Sequence, residues 1–350
     1  MAVLTRVNPH TRILRERLLP HAGEVAVSKG QKVSPVQVVA RASEPQGFAV
    51  VPAAEILGVA ASELSRYLLV EEGAAVQRKK PLLRQRKMLG STEYVSPING
   101  VLYQVSSGRL ILQHTPRLLE LRAMVEGTVH SIRPGRGVVI ATSGAVIQAA
   151  WATQQEGYGR LRIAAAGDSP LRERHIDADV RGTVLVAGCL TDVQALKAAE
   201  DNSARGVIVG SAPASLLPAL HTFRFPIMIT EGFMGQPMAE PLFQLLQEAE
   251  GRDASLFGQS NTSGGSRPEI IIPMPATQPL QTGAPEAADV KVGDRVRILR
   301  APYASQVGKV VAVFTQPRRT SIGIQTPGAD VELPDGEVVF IPDANLDLLR

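Results

Sequence analysis

The sequence predicts a multi-domain chain, α/β plus β, with β-rich modules on either side of a central parallel α/β sheet. Three observations carry this. A strand–glycine–strand unit around Gly30 returns 43 residues later around Gly73. Between residues 181 and 258, continuous apolar runs alternate with helical segments. After residue 289, apolar and polar residues alternate with period two.

The first domain is expected over residues 1–122. VSKGQKV (27–33) is echoed by VEEGAAV (70–76), and each is followed by an apolar pair and a base. Gly30 and Gly73 supply the positive φ of a tight turn without steric cost. Residues 51–69 interrupt the repeat with one or two short helices, their apolar residues three and four apart. A third β unit follows in SPINGVL (96–102) and SGRLIL (107–112), with Asn99-Gly100 as a hairpin turn. Residues 123–180 read as a β-rich extension of short strands between glycine turns.

Residues 181–258 read as a doubly wound α/β domain. Strands at 183–187, 206–210 and 226–230 alternate with helices at 191–199, 211–220 and 237–250; 254–257 is a further strand. The last helix has Pro237 in its first turn and Gly251 just past its end. Residues 259–288 form a linker rich in Gly, Ser, Thr, Pro and Gln. Its apolar island, EIIIP (269–273), is expected to add a strand to a neighbouring sheet. Residues 289–350 form a final β module: VGDRVRI (292–298), QVGKVVAV (306–313), and a hairpin around Asp335-Gly336.

Composition narrows the function classes. A single cysteine, Cys189, rules out an internal disulfide, which is compatible with a reducing compartment. The first 20 residues have no apolar core of signal-peptide length, and the uncharged stretch 137–155 is too polar to span a bilayer. A cytoplasmic protein without a membrane span is expected. The net charge of +4 is uneven: residues 1–122 hold 17 Lys/Arg against 9 Asp/Glu, a net of +8, and the remainder a net of −4. A basic module attracts polyanions.

Two resemblances follow from these motifs. The unit around Gly30 and Val33, with the run SPINGVLYQV, resembles the barrel-sandwich hybrid of lipoyl and biotinyl carrier domains. That family attaches its cofactor to a lysine on a hairpin tip. Here the turn before SPING, residues 90–94, has none; Lys87 precedes it within a basic run. No covalent cofactor is therefore expected. VGDRVRILRAPYASQVGKVVAV, with the closing Pro342, Asn345-Leu346 and leucines, resembles the KOW-type SH3-like barrel of transcription elongation factors and ribosomal proteins. That resemblance implies contact with RNA or with a protein through a loop carrying an aromatic and bases.

The candidate nucleic-acid-binding residues are the basic run Arg78, Lys79, Lys80, Arg84, Arg86 and Lys87, and, in the last module, Arg300, Tyr303, Lys309, Arg318 and Arg319. A solvated surface explains the basic run equally simply. The last module carries eight bases and eight acids, so its own pull on nucleic acid is weak. Ligands of open parallel sheets sit beyond the carboxyl ends of the strands. Those ends make Gly188, Asp192, Gly210, Ser211, Thr230, Glu231 and Gly232 a candidate small-anion site, although no GxGxxG or P-loop is present. Ordinary loop capping accounts for the same residues. The six histidines show no metal-ligand spacing, and no nucleophile–base–acid order stands out. The expectation is a non-catalytic modular binding protein associating with nucleic acid or a nucleoprotein complex of transcription or translation. Two alternatives stay open: a small-anion sensor or unrecognised enzyme using the strand ends, and a protein–protein adaptor.

Overall fold

The structure is a computed structural model describing residues 3–86, 90–233, 235–259, 267–275, 287–304, 306–320 and 322–349. The fold is mostly β, with one large mixed sheet of 17 strands and three smaller sheets. Among the described residues no helix is long and apolar enough to cross a membrane.

The N-terminal strands are β1 (Val3–Leu18), β2 (Glu24–Val25), β3 (Lys32–Val33), β4 (Val38–Glu44), β5 (Phe48–Val51), β6 (Ala75–Val76), β7 (Pro81–Arg86), β8 (Ser91–Val95), β9 (Gly100–Ser106), β10 (Arg109–His114), β11 (Arg117–Arg122), β12 (Gly127–Arg133) and β13 (Gly137–Gln148). One short helix, α1 (Ala53–Leu57), follows β5. The glycine repeat is real at the level of hydrogen bonds. Gly30 and Gly73 have φ of 83° and 84°. Gly30 N–H donates to Val129 O at 2.8 Å, and Gly73 N–H to Leu102 O at 2.7 Å. Val129 and Leu102 donate back to Gln31 and Ala74.

These pairs expose a second offset. Val129 lies 27 residues after Leu102, and the whole of β12 stands 27 residues after its counterpart in β9. Val33 pairs with Gly127 as Val76 pairs with Gly100. The β4–β11 ribbon matches the β7–β8 hairpin down to one ion pair: Arg41–Glu120 at 3.3 Å and Arg84–Glu93 at 2.7 Å. The chain therefore holds two copies of one unit, nested. The second copy, residues 45–116, is inserted at the far end of the β4–β11 ribbon of the first. Each copy has its own core: Val27, Val33, Val39, Val125, Val129 and Val138 in the outer, Val51, Val76, Leu82, Leu83, Leu102, Leu110 and Leu112 in the inserted. Strands of the inserted copy pair only with one another; in the outer copy β1, β3, β12 and β13 belong to the large sheet, and β2, β4 and β11 form a three-stranded sheet of their own.

Strands 91–95 correct one sequence expectation. Residues 90–94 are no turn: Ser91–Val95 is β8, where Thr92, Tyr94 and Val95 suit a pleated surface and Glu93 meets Arg84 across the hairpin. The connection thus lies between Arg86 and Ser91. Lys87, the remaining basic candidate, lies outside the described residues.

The central part contains β14 (Trp151–Ala152), β15 (Glu156–Ile163), β16 (Thr183–Cys189), α2 (Gln194–Asp201), β17 (Gly206–Ser211), α3 (Leu217–Leu220), β18 (Ile227–Gly232), α4 (Glu240–Glu248), β19 (Asp253–Phe257) and β20 (Glu269–Pro273). β15, β16, β17 and β18 are parallel. Leu242 and Leu246 of α4 cover one face, against Val184, Val186 and Ile208. Leu196 and Ala199 of α2 cover the other, against Leu185 and Val207. β19 runs antiparallel to β15, and β20 joins β19 to β13, so the apolar island at 269–273 is a buried strand. β15 is a parallel strand that the pattern placed in the preceding extension, because Gly157 and Gly159 dilute its apolar signal. A Cβ on Gly157 would stand 2.5 Å from Arg205 O, so glycine is needed there.

The C-terminal strands are β21 (Ala287–Ala288), β22 (Arg295–Ile298), β23 (Val307–Arg319), β24 (Gln325–Glu332), β25 (Val338–Pro342) and β26 (Leu346–Leu349). β22 to β25 form an antiparallel meander, and β26 returns to β22, curling the sheet around Val296, Val310, Val331, Ile341 and Leu348. β1 ties the parts together. It pairs with β13, with β21, and in parallel with β26.

The C-terminal part is joined to the α/β part by a buried ion triad. Arg297 donates to Glu231 at 2.6 Å and to Asp347 at 3.0 Å, and all three side chains are at most 2% exposed. Burial pushes the Asp347 carboxyl up to about 6, against the pull of Arg297 and Arg267. An unfolded aspartate titrates near 3.9, so the folded chain holds this proton more tightly. Its stabilising contribution is full below about pH 4 and is lost as pH rises through about 6. Relative to Asp347→Asn, the parent protein is expected to gain up to roughly 2 kcal/mol between pH 7.5 and 4.5. Urea melts of both at the two pH values check this; parallel pH dependence sinks it.

Candidate nucleic-acid interface

The basic run sits on the inserted copy, from the turn after β6 to the end of β7. Arg78, Lys79, Lys80, Arg84 and Arg86 are all exposed. The turn is fixed by its backbone: Arg78 N–H donates to the Asn99 side chain at 2.8 Å, Lys79 N–H to Ser96 O at 2.8 Å, and Lys80 N–H to Gln77 O at 3.0 Å. Lys79 takes a left-handed φ of 68°, an uncommon state for a residue with a Cβ. Arg84 is spent on Glu93. Arg78, Lys79, Lys80 and Arg86 have no carboxylate partner among the described residues. Four cations are thus presented to solvent on a rigid β frame.

The C-terminal candidates are more divided. Tyr303 O–H meets Glu337 at 3.2 Å; desolvation and that carboxylate raise its pKa. Arg318 stacks over Phe314 at 4.2 Å and Phe340 at 5.2 Å and reaches Asp330 at 3.2 Å. That packing extends β23 six residues past the 313 read from the sequence, to Arg319. Arg300, Lys309 and Arg319 are exposed, without carboxylate partners among the described residues.

At the carboxyl ends of the parallel strands, the chain fills its own site. A Cβ on Gly188 would stand 2.4 Å from Gly167 O, and one on Gly210 2.6 Å from both Gly188 O and Met238 N. Gly188 N–H donates to Ser169 O, and Met238 N–H to Gly167 O. Glu231 is turned inward to Arg297 and also accepts from Ala239 N–H at 3.2 Å. Thr230 Oγ1 donates to Val209 O at 3.4 Å, and Asp192 caps Gln194 N–H at 2.8 Å. Ser211 is wholly buried, and Gly232 has a left-handed φ of 102° beside Ala212, whose N–H donates to its carbonyl. Gly188 and Gly210 serve close packing here, and Gly232 a left-handed turn. Burial also raises the Cys189 thiol pKa, which leaves less thiolate.

A larger opening lies at the other end of these strands. A cleft of about 1380 Å³ runs between the outer copy and the α/β part. Arg122, Arg160, Arg162, Arg181, Arg205 and Arg224 line it together with Glu156, Asp179, Glu200, Glu250 and Asp253. Arg17 grips Glu156 through two bonds of 2.6 and 2.8 Å. These residues come from separate turns and strand ends, so no local motif announces them; bases and acids are nearly balanced, and the cleft exerts no strong pull of one sign.

Comparison with protein-family models and with curated proteins gives no match.

Proposed function

We propose that this chain is a non-catalytic modular binding protein that associates with nucleic acid or a nucleoprotein complex, with the inserted copy as its principal contact. The observation that carries this reading is the difference between the two nested copies. They share the glycine turns at Gly30 and Gly73, the strand register and a cross-strand ion pair, so they can be compared residue by residue. Yet the turn that reads Arg78-Lys79-Lys80 in the inserted copy reads Pro35-Val36-Gln37 in the outer one. The outer turn lies against the cleft, while the inserted one faces solvent. Exposed cations without a carboxylate partner among the described residues suit a polyanion, which releases counterions on binding.

In this reading the nested copies are barrel-sandwich hybrids used as rigid platforms, and the C-terminal meander is a KOW-type SH3-like barrel. Its curled five strands and exposed Arg300, Lys309 and Arg319 support a secondary contact. The self-filled strand ends weigh against a small-anion sensor. Binding of RNA and DNA to the full chain, measured against salt, tests the proposal. Lys79→Ala/Lys80→Ala is expected to lower the slope of log K against log salt by about two. Absence of binding by the parent protein at low salt overturns the reading.

A further inference from the structure

We infer that the outward face of the inserted copy's four-stranded sheet is a stacking platform for single-stranded nucleic acid. This rests on the nucleic-acid reading and names its ligand class and its second set of contacts. The sheet runs β5, β10, β9, β6. Its inward residues, Val51, Leu102, Leu110 and Leu112, are at most 3% exposed. Its outward side carries Phe48, Val50 and Tyr103, which are 54%, 56% and 56% exposed. Phe48 and Tyr103 meet edge to face, centroids 5.3 Å apart, although they come from strands that do not pair. The fold does not require this. β9 packs its core through Leu102, and the counterpart of Tyr103 in the outer copy is His130.

Charge says what covers this face. Val76, at the end of β6, pairs with Gly100 of β9, and the chain then turns through Arg78, Lys79 and Lys80. Tyr103 lies three residues along β9 from Gly100, about 10 Å. The rings therefore stand about 10 Å along the sheet from the end at which the chain turns into cations that have no carboxylate partner among the described residues. Glu72, at the opposite end of β6, is engaged with Val105 N–H at 2.6 Å. A single strand offers base faces to the rings and phosphates to the cations; a duplex offers only phosphates, because its bases are already stacked on one another. A protein partner would use the rings without needing the cations.

The test is fluorescence anisotropy of the full chain with labelled single strands of about 20 nucleotides and the matching duplex, from about 50 to 200 mM salt. Phe48→Ala and Tyr103→Ala are each expected to weaken single-strand binding roughly tenfold, leaving the salt slope and duplex binding unchanged. Tyr103→Trp is expected to retain affinity, and both alanine variants to melt like the parent. Single-strand binding that weakens in Lys79→Ala/Lys80→Ala but not in Phe48→Ala/Tyr103→Ala overturns the platform and leaves the nucleic-acid reading standing. Equal losses on single strand and duplex overturn stacking as well. No binding to either by the parent overturns both.

Discussion

Arg297→Met is expected to lower the free energy of unfolding by about 3–5 kcal/mol at neutral pH. Arg297 is 1% exposed and is the shared partner of Glu231 and Asp347. Its removal leaves two carboxylates in a site from which water is excluded. Their desolvation cost, formerly offset by one guanidinium at 2.6 and 3.0 Å, then counts in full. The loss should shrink at pH 5, where the Asp347 carboxyl takes up a proton. It should shrink again in Arg297→Met/Glu231→Leu/Asp347→Leu, because a buried ion group replaced as a whole by apolar residues is often neutral or stabilising. Urea unfolding of the three proteins at two pH values decides the matter. A single variant as stable as the parent would mean that water reaches the triad, and that strand pairing of β1 with β21 and β26 and apolar packing hold the C-terminal part.

How much of this was legible in the sequence differs by element. Period-two alternation placed the strands of the last module, and apolar runs placed β16, β17 and β18, because the buried face of each is continuous in sequence. The triad was not legible. Glu231, Arg297 and Asp347 lie 66 and 50 residues apart in sequence, and Glu231 read as a ligand contact because it ends a parallel strand. Only packing of the C-terminal part onto that strand end turns it into a structural ion. The basic run was legible from composition, and its exposure holds. Phe48 and Tyr103 were not, since an aromatic in a short strand reads as core until its neighbours are seen to face inward. The nested copy was half visible. The 43-residue offset stands out because both halves carry a V-x-x-G-x-x-V pattern, whereas the 27-residue offset keeps little beyond Glu93/Glu120, Gly100/Gly127 and Gly108-Arg109/Gly135-Arg136.

Those surviving glycines lead to the second large effect. Gly100→Ala is expected to destabilise the inserted copy by roughly 3 kcal/mol or more while leaving the rest of the chain folded. The reason is steric. A Cβ at Gly100 would stand 1.8 Å from Gln113 O, a backbone atom of the paired strand β10, which cannot move without breaking the β9–β10 ladder. At the matching position in the outer copy, a Cβ on Gly127 would stand 2.4 Å from Ala141 O, in β13. The two substitutions make the same clash in different settings. β10 pairs only within the inserted copy, but β13 also pairs with β1 and β20 and so reaches the α/β part. The single tryptophan, Trp151, sits on β14 in the α/β part and reports that region alone. Gly100→Ala should therefore leave the Trp151 fluorescence transition in urea in place. Amide protection should fall across β9 and β10, and single-strand binding should be lost together with its platform. Gly127→Ala should move the Trp151 transition itself to lower urea. If the two variants shift that transition equally, the inserted copy is not an independent folding unit, and its cations and rings cannot be altered without disturbing the whole molecule.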